Sequence, residues 1–198
     1  MHEHRDDTAS KIGIWLFIFT EILLFGGLFL VYAVYRYRNQ TAFHLAGEEL
    51  NVIIGAINTV VLLISSMTIA MAITAMQKGN KKLSERLLYI TLFLALVFMV
   101  NKYFEWGAKF EHGLYPGSEL LHSLGQGDIL FFGLYFAMTG LHALHIIVGG
   151  VFIGFVIYYI RKGGVNPTCW QLLENAGLYW HLVDLIWIFL FPLFYLIH

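Results

Sequence analysis

Two histidines stand three positions apart in the otherwise apolar run TGLHALHIIVGG, residues 139–150. On a helix that spacing puts His142 and His145 on one face. Such a pair can ligate haem or a metal, or it can bond neighbouring helices. His181, in YWHLVDLIW, would complete a bis-histidine haem site with either one, as in a small membrane haem or metal protein. Against that reading, His181 lies near the start of its apolar segment and His142 toward the far half of its own. Regular helices would then separate the two vertically, along the membrane normal, by more than about 15 Å. Interhelical hydrogen bonding is the better reading, since His, Asn, Thr and Ser in membrane spans contribute roughly 0.6–2 kcal/mol per bond.

The other polar residues in apolar surroundings are few, and ionisable groups there are costly enough that each is a candidate site. Glu21 sits in FTEILLFGG, Asn58 and Thr59 in INTVVLLISS, Lys102 and Glu105 in NKYFEW, Thr139 just before the two histidines, and Asp184 three residues after His181. Glu105 follows Lys102 by one turn, so an ion pair on one helix face is expected. His181 and Asp184 share a face in the same way; a carboxylate beside a histidine can handle protons, but a structural bond is favoured. Glu21 is surrounded by Leu, Ile and Phe, about 13 Å into its segment. It serves either as a hydrogen bond to another helix or as a step on a proton path. Small residues at Gly133-x-x-x-Ala137 and Gly150-x-x-x-Gly154 are expected to let helices approach closely.

The elements that must position these residues are membrane spans. Hydrophobic residues make up 59% of the 198-residue chain, above the roughly 45–50% of soluble proteins. Five runs are long enough to cross a bilayer: 12–35, 52–76, 87–108, 129–160 and 172–197. None alternates apolar and polar residues, which argues against a β-barrel, so the expected fold class is an all-α membrane protein, a bundle of five transmembrane helices in a single domain. The fourth run has 32 residues and is expected to tilt or project from the bilayer. The first apolar run is too long for a secretory signal and reads as a retained span. Net charge is −1, which gives no reason to expect a nucleic-acid partner. The lone Cys169 allows no internal disulfide.

Positive charge sets the orientation. With five spans, one side carries Arg5, Lys11, Lys78, Lys81, Lys82, Arg86, Arg161 and Lys162, and the other only Arg36, Arg38 and Lys109. The N-terminus is therefore expected in the cytoplasm and the C-terminus outside. Tyr32, Tyr35, Trp106, Tyr158, Tyr159, Trp170, Tyr179 and Trp180 fall near span ends, where aromatic belts lie. The same topology puts Glu105 in the outer half of the membrane with His142 and His145, as their candidate partner.

These motifs, in order, resemble a family. GIWLFIFTEILLFGGLF resembles the helix of haem–copper oxidase subunit III that carries a buried glutamate, with Glu21 in that place. INTVVLLISS, YFEW, TGLHALHIIVGG and YWHLVDLIWIFLF follow in the family's order. The longer members have seven spans; this chain is similar to the short five-span form. Lys102 stands where many members have glutamine. The resemblance implies a subunit without a redox centre or cofactor of its own, in a bacterial plasma membrane. It would pack beside the catalytic subunit I, which holds haem and copper, and would bind phospholipid, support assembly and help proton uptake. The alternatives are a related component of a quinol oxidase or nitric oxide reductase, and the small haem or metal protein built on His142, His145 and His181.

Overall fold

The computed structural model describes residues 7–196; Arg5 of the charge count and Ile197 of the last expected span lie outside the described residues. Among the described residues seven helices follow one another: α1 (Asp7–Arg38), α2 (Gln40–Glu48), α3 (Val52–Gln77), α4 (Lys81–Glu111), α5 (Glu119–Leu124), α6 (Gln126–Arg161) and α7 (Gln171–Tyr195). Five of them, α1, α3, α4, α6 and α7, are long and apolar enough to cross a membrane. The chain is thus a multi-pass membrane protein.

The helices start where side chains can satisfy their first amides. Asn51 Oδ1 accepts from the Ile53 and Ile54 amides at 3.0 and 3.2 Å. Asn80 Oδ1 accepts from Leu83 N at 3.1 Å and starts α4 six residues before the apolar run expected at Leu87. The expected spans are shorter because hydropathy marks only the part of a helix in hydrocarbon, whereas the hydrogen-bond ladder continues into the polar ends. The longest expected span is longer still in the structure, with 36 residues in α6, or about 54 Å. Its N-terminal end is covered by α2, whose Ala42 Cβ would stand 2.5 Å from a methyl placed on Gly127. In the connection before it, Ser118 caps the short α5, and Gly125 (φ 138°) makes the turn into α6.

α7 is the axis of the bundle. Of its apolar window 56% is buried, against 11% for α1. α7 contacts α3, α6, α1 and α2; α4 closes the far side against α3 and α6. Trp180, Trp187, Phe194 and Tyr195 are fully buried along it. Their polar edges are used: Trp180 Nε1 donates to Ser65 Oγ and Trp187 Nε1 to Thr59 Oγ1, each at 3.0 Å.

Two sequence expectations are corrected here. Tyr32, Tyr179 and Trp180 belong to the core and not to an interfacial belt, with 2%, 4% and 0% exposure. Trp180 lies nine residues, about 14 Å, inside a helix whose first turns, QLLENAG, are partly polar. The close approaches are also not at the two small-residue pairs. Methyls on Gly133 or Gly154 would meet nothing within 4 Å, and one on Gly150 only Leu92 at 3.7 Å. The tight contact is one residue away: a methyl on Gly149 would sit 2.9 Å from Trp180 and Tyr179. One residue rotates a helix face by about 100°, which spacing alone does not resolve. We expect Gly149→Ala to destabilise the detergent-solubilised chain by about 1–3 kcal/mol and Gly154→Ala to be neutral; thermal unfolding of both variants checks this.

Candidate functional site

The buried polar residues form separate groups, each linking particular helices. The first joins α1 to α6. His145 Nδ1 lies 2.8 Å from the carbonyl of Leu141, one turn back on its own helix. A carbonyl only accepts, so Nδ1 carries a proton and donates. His145 Nε2 then lies 3.0 Å from Glu21 Oε2, with the two side chains only 12% and 13% exposed. One proton between these atoms suffices, either as a carboxylic acid donating to Nε2 or as an imidazolium donating to a carboxylate. Both arrangements leave the pair with no net charge. The ring edge of Phe25 packs on His145 at 5.5 Å between centroids, and Tyr179 OH donates to the His145 carbonyl at 3.1 Å. Glu21 lies about 18 Å from the N-terminal end of the span.

The second group joins α4, α6 and α7. Lys102 Nζ donates to Glu105 Oε2 at 3.1 Å, to Tyr135 OH at 3.1 Å and to Tyr195 OH at 2.8 Å. Tyr135 OH donates to Glu105 Oε1 at 2.6 Å, and Tyr195 OH donates to the same oxygen. The ammonium thus uses all three donors, and both carboxylate oxygens are engaged. Lys102 and Glu105 are buried, at 2% and 5% exposure, and the group as a whole is neutral.

The third group lies along α3. Ser66 Oγ and His181 Nδ1 are 2.6 Å apart, Thr68 and Thr91 hydroxyls 2.8 Å, and Asn101 Nδ2 donates to Asn58 Oδ1 at 2.8 Å. Thr59 and Thr139 hydroxyls bond back to carbonyls of their own helices, Gly55 and Tyr135. Asp184 is buried at 3% exposure and makes no bond to His181.

The expected pairing of His142 and His145 with Glu105 does not form. Glu105 meets α6 at Tyr135, and His145 is ten residues further along, about 15 Å of helix. His142 is fully buried between Phe98 and Trp187, at 5.7 and 5.2 Å between centroids, with no partner on either ring nitrogen. The expected separation of more than 15 Å between His142 and His181 is also too long. His142 stacks at the level of Trp187, six residues or about 9 Å of rise from His181. The three histidines nevertheless do not form one ligand set. Each has different neighbours, and both ring nitrogens of His145 are engaged within the chain. Among the described residues, no three His, Cys, Asp or Glu side chains are grouped to hold a metal ion.

The model of the family described as cytochrome c oxidase subunit III matches residues 1–198. The chain belongs to this family. It is 30% identical to the cytochrome c oxidase subunit 3 of Thermostichus vulcanus over 197 residues, covering 99% of this chain and 90% of that one. It is 32% identical to the quinol oxidase subunit 3 of Bacillus subtilis strain 168, covering 98% and 91%. A protein of Aeropyrum pernix named heme-copper oxidase subunit I+III is 29% identical, and the chain spans 24% of that longer relative.

In this subunit III the tyrosine partners of Lys102 and Glu105 escape sequence reasoning. Tyr135 and Tyr195 read as ordinary aromatic residues of apolar runs, and nothing local marks their hydroxyls as meeting one carboxylate. Removing one member of a buried charge pair costs about 3–5 kcal/mol. We expect Lys102→Met to destabilise the bundle by about that much, and Lys102→Met with Glu105→Gln to be less destabilised than the sum of the two single variants. A double-mutant cycle read by denaturant unfolding in detergent measures the coupling.

Proposed function

We propose that this oxidase subunit III packs beside the catalytic subunit I of a respiratory haem–copper terminal oxidase, supports its assembly and assists proton uptake. Haem and copper reside in the partner subunits. The observation that carries the reading is the Glu21–His145 pair. A carboxyl and an imidazole share one proton inside a membrane-spanning bundle, and either position of that proton leaves the pair neutral. Such a pair passes a proton between two atoms 3.0 Å apart without creating net charge in a low-dielectric surrounding. The subunit I+III name of the Aeropyrum pernix relative supports the partnership, since there the two subunits are named as one protein.

The membrane is a bacterial plasma membrane with the N-terminus cytoplasmic. The eight-to-three asymmetry of positive residues supports this orientation. Membrane phospholipid is a further ligand. Its headgroup is assigned to a cavity of about 650 Å³ at the outer end of α1, lined by Tyr32, Arg36, Tyr37, Gln40 and His44. A guanidinium beside hydrogen-bonding side chains suits a phosphate. The relatives include both cytochrome c and quinol oxidases at similar identity, 30% and 32%, so a quinol oxidase is the second reading.

Gentle affinity purification of the chain from its native membranes is expected to bring a large haem- and copper-bearing subunit in equal amount, and the donor that this complex oxidises chooses between the two readings. In that complex, Glu21→Gln should slow proton uptake while leaving the haem spectrum and the yield unchanged. Uptake at the parental rate would reduce Glu21 to a structural carboxyl. Haem bound to the chain purified alone would overturn the proposal.

A further inference from the structure

α1 and α3 both flank α7, and their backbones stay more than 8 Å apart. One face of α7 is therefore open along its length, with Leu178, His181, Leu185 and Ile188 at one-turn spacing. Leu185 and Ile188 are 47% and 40% exposed. Ser66 forms the α3 rim beside His181. A cavity of about 240 Å³ continues the face toward α1, lined by Ile22, Gly26, Phe29, Leu185 and Phe189. A methyl on Gly26 would meet nothing within 4 Å, so the wall there is open to a protruding side chain.

The Ser66–His181 pair is the feature that lipid does not suit. Ser66 lies eleven residues from the inner end of α3 and His181 ten from the inner end of α7, each about 15 Å into a helix. That depth is within the roughly 30 Å hydrocarbon core. Both side chains are partly exposed. Ser66 engages Nδ1, and the structure gives His181 Nε2 no partner among the described residues. An imidazole nitrogen open to acyl chains forfeits a hydrogen bond, and ionisable side chains at this depth face protein instead. Three other partly or fully exposed polar residues of the spans are tied off: Thr20 and Thr74 bond carbonyls of their own helices, and Asn101 bonds Asn58. The outer face of α6 is apolar where exposed, with Leu144, Ile147, Val148, Val151 and Phe155.

We infer that the open face between α1 and α3, floored by α7 and centred on Ser66 and His181, receives a transmembrane helix of the catalytic subunit that presents a hydrogen-bonding side chain to His181 Nε2. The inference rests on the oxidase reading above and names the surface that reading leaves open. The fused subunit I+III relative makes the catalytic subunit, and not a second copy of this chain, the occupant: a covalent link keeps subunit I within reach of every such bundle.

The test is photo-crosslinking in native membranes, with p-benzoylphenylalanine replacing Leu185 on this face or Val151 on the outer face of α6. Both positions are exposed, 47% and 56%, so neither replacement disturbs the core. A crosslink to the large haem-bearing subunit from position 185 and none from 151 is expected. A crosslink from 151 alone, with the complex still co-purifying, would overturn the docking face and leave the oxidase reading intact; loss of any large partner from the parental chain would overturn both. In a second measurement, His181→Leu should lower the amount of co-purified catalytic subunit about three- to thirtyfold, the range one interhelical hydrogen bond supplies. His181→Gln should restore it, and equal yields from both variants would also overturn the inference.

Discussion

A polar atom in hydrocarbon has no water to bond, so it must be satisfied by protein or carry the cost of desolvation. The bundle is arranged around that constraint. Burial of the Lys102 ammonium is tolerable because it meets Glu105 and two tyrosine hydroxyls, which themselves donate to the carboxylate. The indoles of Trp180 and Trp187 lie against α3 because Ser65 and Thr59 accept their N–H groups. In membranes, apolar side chains gain little by leaving lipid for protein. These bonds and the tight contact at Gly149 therefore specify which helix faces meet, a task that in water falls to hydrophobic burial.

The peripheral position of α1 makes its polar contacts weigh more. With so little of its apolar window buried, the helix is held at few places. Asn175 Nδ2 donates to Ser10 at its N-terminal end, Glu21 meets His145 in the middle, and Tyr32 OH donates to the Leu193 carbonyl toward its C-terminal end. The carboxyl that gives this subunit III its candidate proton function is thus also a fastener of its least-buried span. A net-neutral acid–imidazole pair can be both, because moving the proton changes neither the total charge nor the contact.

The sequence made the spans legible, because a run of about twenty apolar residues has one interpretation in a membrane. It also made legible the Lys102–Glu105 pair, since residues three apart on one helix must meet. Contacts between helices were another matter. His142 and His145 lie on one face at nearly the same depth, yet one meets Glu21 and the other is enclosed by Phe98 and Trp187. The deciding quantity is the register and rotation of α6 against α1 and α4, which spacing within α6 does not contain. The same ignorance of rotation misplaced the close contact by one residue, from Gly150 to Gly149, and the partner of Glu105 from a histidine to two tyrosines.

Charge neutrality connects these sites. Two ionisable pairs inside the bundle carry no net charge, Glu21 with His145 and Lys102 with Glu105, so neither pair asks the surrounding lipid to solvate an ion. Neutrality is also what allows the two pairs to behave differently. In the Lys102 group every donor and every carboxylate oxygen is committed to three helices, and moving a proton would break several bonds at once. In the Glu21 pair a single proton lies between two atoms on a lightly buried helix, and its movement breaks none. The same requirement for satisfied polar atoms that locks the core of the bundle therefore places its acid–imidazole pair at the edge, between α1 and α6.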